Sequence, residues 1–214
     1  MENTKGFFLR HQNRAHWEKI SSNWFDLHDE YSSTESESLF WVNEKSNVAM
    51  LGVAAWRAKI PTVCGYRISK LRGSDVESDE TDTRKSLGRV DLYLGVEPYG
   101  EYVEAKWINR SLFQRDDLEQ QKRLLNMTRK NAASVERSVT GKRTGLFFCS
   151  YYCKENENRI LDDKTRDLVA SVKKLGSDIS FAFWRFLNED QRFPDGHGYQ
   201  PIGMIVLGRS ISRD

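Results

Sequence analysis

Between Leu87 and Trp107 apolar residues recur at every second position. Val90, Leu92 and Leu94 alternate with Asp91 and Tyr93, and Val103, Ala105 and Trp107 alternate with Glu104 and Lys106. A period of two is that of a strand with one buried face. The spacing predicts strands over 87–95 and 101–107, joined by Val-Glu-Pro-Tyr-Gly, a turn built on Pro98 and Gly100. From 116 to 140 the period lengthens to that of a helix. Leu118, Gln121, Leu125, Thr128, Ala132, Val135 and Val139 recur at steps of three and four, and Gly141 stops the run. Upstream, Thr-Glu-Ser-Glu at Thr34 has the form of a capping box. It predicts a helix from Thr34 to about Lys59, ahead of Pro61, with Trp41, Val48, Leu51 and Ala55 on one face.

Val63–Ile68, 144–152, 180–186 and 201–208 read as further strands, and 162–175 as a helix closed by Gly176. The stretch 144–152 is apolar without alternation, which suits a strand buried on both faces. Phe181, Phe183, Trp184 and Phe186 read as core and sheet packing rather than as a surface for stacking bases. Residues 72–86, polar and acidic, have nothing to pack and predict a mobile loop. Residues 1–33, with Trp17, Trp24, Phe25 and Tyr31, read as helical or irregular. The order is helix, three strands, long helix, strand, helix, two strands. It predicts one α/β or α+β domain over 1–214, a mixed β-sheet flanked by helices.

Composition narrows the class. The chain is 38% hydrophobic and 30% charged, which suits a packed soluble domain and excludes a disordered one. No stretch approaches the roughly 18 apolar residues of a membrane span, and the first residues lack the apolar core of a signal peptide. Three cysteines argue for a reducing, cytoplasmic setting. Cys149 and Cys153 lack two further ligands for zinc. His11, His16, His28 and His197 have no metal-binding spacing, and neither a phosphate-binding Gly loop nor a Gly-x-Ser-x-Gly is present. Net charge is only +2, but residues 105–145 carry ten basic and four acidic side chains. A basic segment directly after Lys106 suits a polyanionic partner. The blander reading is a solvated helix face.

The chemistry lies in the hairpin. Asp91 and Glu104 fall on the face opposite the apolar residues of their strands, and Lys106 points the same way as Glu104. Two carboxylates brought together repel unless a cation stands between them. Mg²⁺ takes oxygen ligands and is often held by one or two carboxylates plus phosphate. Glu44 adds a carboxylate within the otherwise apolar face of the first helix. The competing reading is a cross-strand ion pair, Lys106 with Asp91 or Glu104, on an exposed sheet face.

Asp91 on one strand and Glu104-Ala105-Lys106 on the next resemble the signature of the PD-(D/E)xK nuclease superfamily, the restriction-endonuclease-like fold. Its core of helix, three strands, helix and strand corresponds to about 34–152. The resemblance implies Mg²⁺, or Mn²⁺ in its place, held by Asp91, Glu104 and the carbonyl of Ala105. It implies Lys106 beside the attacking water or the phosphate, and Glu44, with Glu37 as second choice, on the preceding helix. Gln121, or else Gln120, takes the place of a glutamine on the following helix. The implied reaction is hydrolysis of phosphodiester bonds in DNA, with Arg110, Arg115, Lys122, Arg123, Arg129 and Lys130 as phosphate contacts. Cutting both strands of a duplex suggests a homodimer. Val90 stands where the family often has proline. Pro194-Asp195 has no acid-x-Lys triplet after it, and Asp162-Asp163-Lys164 lies at a predicted helix start, where acids suit the helix dipole. The alternative is a non-catalytic nucleic-acid-binding or interaction module that keeps the fold.

Overall fold

A computed structural model describes residues 4–10, 15–35, 43–71, 85–113, 118–135 and 140–211. In chain order the elements are β1 (Lys5–Leu9), α1 (Ala15–Glu35), α2 (Glu44–Arg57), β2 (Thr62–Leu71), β3 (Lys85–Leu94), β4 (Glu101–Ser111), α3 (Leu118–Ala133), β5 (Lys142–Lys154), α4 (Leu161–Lys174), β6 (Phe181–Phe186) and β7 (Tyr199–Ile211). The fold is α/β. Its seven-stranded sheet has the order β1-β6-β7-β5-β4-β3-β2, mixed because β4 and β5 run parallel while every other neighbouring pair is antiparallel. Among the described residues no helix is long and apolar enough to cross a membrane.

β5 is the centre of the sheet, and its continuous apolar run has a direct cause. Phe148 faces the core under α1 and α2, while Phe147 and Cys149 face the core under α3 and α4. The first core gathers Trp17, Ile20 and Trp24 of α1, and Val48, Leu51 and Ala55 of α2, over Leu92, Val103 and Phe183. Fully burying side chains of this size stabilises the fold by roughly 1.5–3 kcal/mol each. On the other face α3 sits tightly on β5. A Cβ at Gly145 would lie 2.6 Å from both the Thr128 carbonyl carbon and the Arg129 nitrogen. The predicted seam of α3 is buried at Gln121, Leu125, Thr128, Ala132 and Val135; the Leu118 side chain and Val139 lie outside the described residues.

Three expectations change. The helix predicted from Thr34 begins at Glu44, where the Asn43 side chain accepts from Ser46 N–H at 2.9 Å; Thr34 and Glu35 instead close α1. Residues 5–9 form an edge strand against β6, which the aromatic and polar mixture of 1–33 did not suggest. Finally, Val90 does not share a face with Leu92 and Leu94. It packs with Ile68, Tyr102 and Val135, whereas the other two join the core under α1 and α2. The β2–β3 hairpin turns over between them, where Gly65 adopts φ +64°, a conformation that a side chain disfavours. Residues 72–84, read as a loop, lie outside the described residues, and 85–86 belong to β3.

Candidate functional site

The turn of the hairpin coincides with an opening in the sheet. The β3–β4 ladder runs from Leu94–Glu101 to Leu92–Val103 and stops. The next pair would be Asp91 with Glu104. β4 continues alongside β5 as far as Ser111, so it is β3 that departs. The departure would leave the Ala105 N–H without a ladder partner. The Asp91 side chain takes that place, accepting from Ala105 N–H at 2.7 Å. The N–H and C=O of one strand residue point to the same side, so the Ala105 carbonyl also opens toward Asp91.

Five charged groups from four elements converge around this opening. Glu104 is buried, 6% exposed, and its carboxylate is hydrogen-bonded by the Lys70 ammonium from the far end of β2. Burial pushes the Glu104 carboxyl above the usual glutamate range. The Lys70 hydrogen bond and charge pull it back, the Asp91 charge raises it, and Lys106 lowers it. Glu104 therefore senses Asp91 as a like charge and Lys106 as an opposite one. Lys106 Nζ lies 3.4 Å from both carboxylate oxygens of Glu44, the first residue of α2. Ion pairs are present, but not the cross-strand pair that the bland reading expects. Lys106 pairs with a helix, and Glu104 with a lysine from another strand.

Of the predicted site residues, Asp91, Glu104, Ala105, Lys106 and Glu44 come together. Gln121 does not join them. Its amide donates to the Tyr151 hydroxyl at 3.3 Å, and Tyr151 is the ladder partner of Arg110, six strand positions beyond Glu104. At a strand rise of about 3.3 Å per residue that is roughly 20 Å. Thr128 is the α3 residue beside the opening, because it rests on Gly145, the ladder partner of Glu104. Arg110 is also displaced from its expected role. It is buried on β4, and its Nη1 makes no hydrogen bond, so it is no part of an exposed basic face. Lys122, Arg123, Arg129 and Lys130 do share the outer side of α3, around a surface hollow of about 530 Å³. Lys122 is tied to Asp178 at 3.5 Å. Arg115, Glu37 and the Gln120 side chain lie outside the described residues.

Two basic residues escaped the sequence reading. Lys70 lies two strand positions from Ile68, and that alternation placed it on the face of Glu104, but the long acidic stretch after it hid the strand's end. Arg209 of β7 joins the basic side of α3, donating to Asn126 at 3.0 Å. Burial and the Arg129 charge push its guanidinium below the usual range.

Among the described residues no group of three or more His, Cys, Asp or Glu side chains is arranged to hold a metal ion. The donor set here is two carboxylates and a main-chain carbonyl, with lysines beside them. No protein-family model, curated protein or solved structure matches the chain.

Proposed function

We propose that the protein is a metal-dependent nuclease of the PD-(D/E)xK type, hydrolysing phosphodiester bonds in DNA. One observation carries the reading: Asp91, Glu104, Lys106 and Glu44, drawn from β3, β4 and α2, gather where the β3–β4 ladder opens. The run α2, β2, β3, β4, α3, β5 supports it, being the helix, three strands, helix and strand that the resemblance implies.

The donor set fits Mg²⁺. Asp91 spends one oxygen on Ala105 N–H, and the mutual repulsion of Asp91 and Glu104 favours a cation close to both. Asp91, Glu104 and the Ala105 carbonyl would hold the ion. When bound, such an ion lowers the pKa of a water and offsets charge on a phosphate. The chain's own contribution is orientation and charge. Glu44 holds the Lys106 ammonium at the opening, where it can hydrogen-bond a phosphate oxygen or the attacking water. Lys70 keeps a second positive charge against Glu104. The exposed cations of α3 offer phosphate contacts, which make affinity fall with salt.

The test is cleavage of supercoiled, linear and single-stranded DNA, and of RNA, in Mg²⁺ or EDTA. Wild type is compared with Glu104→Ala and Lys106→Ala, each shown to be folded by circular dichroism. Metal-dependent cleavage lost in both variants is expected. A second reading, a nucleic-acid-binding module without catalysis, is favoured by the satisfied ion pairs Lys70–Glu104 and Lys106–Glu44. It predicts no cleavage of any substrate and equal binding by all three proteins.

A further inference from the structure

Beside the carboxylates lies a row of tyrosines that neither the composition nor the catalytic reading requires. Tyr66 of β2, Tyr93 of β3 and Tyr102 of β4 stand on three neighbouring strands. The Tyr66 and Tyr93 rings are stacked, 4.9 Å apart with 25° between their planes. Tyr93 and Tyr102, a directly opposed ladder pair, are 5.2 Å apart, and Tyr66 and Tyr102 are 6.2 Å apart. Tyr102 precedes Glu104 by two residues and so shares its face. Tyr66 precedes Lys70 by four and shares the face on which Lys70 reaches Glu104. The row and the charged cluster therefore form one continuous surface.

Burial along the row is graded. Tyr102 is buried under Val135 and Ile68, Tyr93 is half-buried, and Tyr66 remains 38% exposed. Tyr66 stands on β2, the last strand of the sheet. A row serving only the core would end in its most buried ring; this one ends in an exposed ring already stacked on its neighbour. Positive charge flanks it. Lys70 is on the same face of that strand, and Arg143 lies close to Tyr102, where it partly offsets the burial and the neighbouring Tyr93 and Tyr66 that together raise the pKa of the Tyr102 hydroxyl.

We infer that this row is a stacking platform for an unpaired nucleobase, so that the preferred substrate is single-stranded nucleic acid. The inference rests on the phosphodiester reading of the adjacent site. Every base has a π-face, and aromatic rings on adjacent strands of a sheet are a known way to hold unstacked bases. A duplex keeps its bases stacked inside and cannot offer them to Tyr66. Lys70, on the same face and next to Glu104, suits a phosphate beside the stacked base. Tyr93 and Tyr102 act as positioning residues, fixing the Tyr66 ring from behind.

The test is equilibrium binding in EDTA, by fluorescence anisotropy, of a thymidine oligonucleotide and of a duplex of equal length. Wild type, Tyr66→Ala and Tyr66→Phe are compared. Tyr66→Ala is expected to weaken the single strand about 5- to 150-fold, to leave duplex binding unchanged, and to be rescued by Tyr66→Phe. Unchanged single-strand affinity in Tyr66→Ala overturns the inference. So does an equal loss on both substrates, or no binding of the single strand by wild type. Because EDTA removes any metal-dependent cleavage, the two readings fail separately. Tyr66-dependent binding without cleavage in Mg²⁺ keeps the platform and removes the nuclease. Cleavage with binding indifferent to Tyr66 does the reverse.

Discussion

The half of the sheet formed by β1, β6, β7 and β5 and the half formed by β4, β3 and β2 solve different problems. In the first, every residue of β6 is buried, and helices pack both faces. Its buried Arg185 is fully engaged, held by Asp29, Gln191 and the Phe186 carbonyl. In the second half, pairing between β3 and β4 covers only three residue pairs, and charges crowd the point where it ends. A carboxylate in the closed half would need a network built around it. Glu101, at the start of β4 where that strand is still paired on both sides, has such a network: Trp17 and Thr144 bond one of its oxygens and His16 the other. Glu104, three residues along the same strand, has Lys70 and an opening beside it. One strand thus carries a structural carboxylate and a candidate catalytic one, and the ladder beside them marks the difference.

Substitutions can break that contrast. The largest effect expected is on cleavage. Lys106→Ala should lower the rate about 10²- to 10⁴-fold, while costing at most about 1 kcal/mol of stability, since its pair with Glu44 is partly exposed. A large loss of stability in this variant, by urea denaturation, would make the cluster structural. In the closed half the order reverses. Trp17→Ala removes a fully buried ring stacked on Phe181 at 4.5 Å, and should cost about 3–5 kcal/mol. Gly145→Ala, at the contact between α3 and β5, should cost about 1–3 kcal/mol. The two nearest atoms it meets are backbone, so the helix itself has to move. A thermal midpoint equal to wild type would show that α3 is looser than described.

The pH dependence separates the halves by sign. His28, buried beside Trp24 and near Arg185, is pushed by burial and by that charge from 6.5 down to about 3. The unfolded chain takes up this proton first, so stability is lost as pH falls from about 6.5 toward 3. His28→Leu should flatten the denaturation midpoint over that range. Glu104 acts oppositely. Its folded pKa is raised, so its contribution is present below the ordinary glutamate value of 4.5 and is lost as pH rises through the raised one. Glu104→Gln should therefore gain stability relative to wild type as pH rises above that value. A constant difference between the two proteins would count against a buried, titrating Glu104.

What the sequence made legible follows the same division. The strands around Asp91 and Glu104 announce themselves because alternation needs only neighbours in the chain. The α3 seam and the apolar run of β5 do the same for the opposite face. Trp17, Ile20, Trp24 and His28 do recur at helical spacing, but serines and charges between them left 1–33 readable only as helical or irregular, and α1 is the helical alternative. The capping box at Thr34 misled, and the Asn43 side chain starts the helix that carries Glu44. Long-range choices were not readable. Helix period shows that Gln121 faces inward, not that Tyr151 lies beneath it. Nothing near Lys70 indicates that Glu104, 34 residues away, is its partner. The overturned face of Val90 depends on the conformation of Gly65 on another strand.

The position of β1 has a consequence for the order of events during synthesis. Lys5 is in register with Arg185, and Leu9 with Phe181. The ribosome therefore releases an apolar Phe7-Phe8 segment long before the strand that will pair with it exists. At about 5–20 residues per second that interval is roughly ten to forty seconds. Throughout it, α2 to β5 can condense through contacts closer in the chain, while β1 stays exposed to chaperones and to copies of itself. Closing the sheet is then a late event, timed by the arrival of β6.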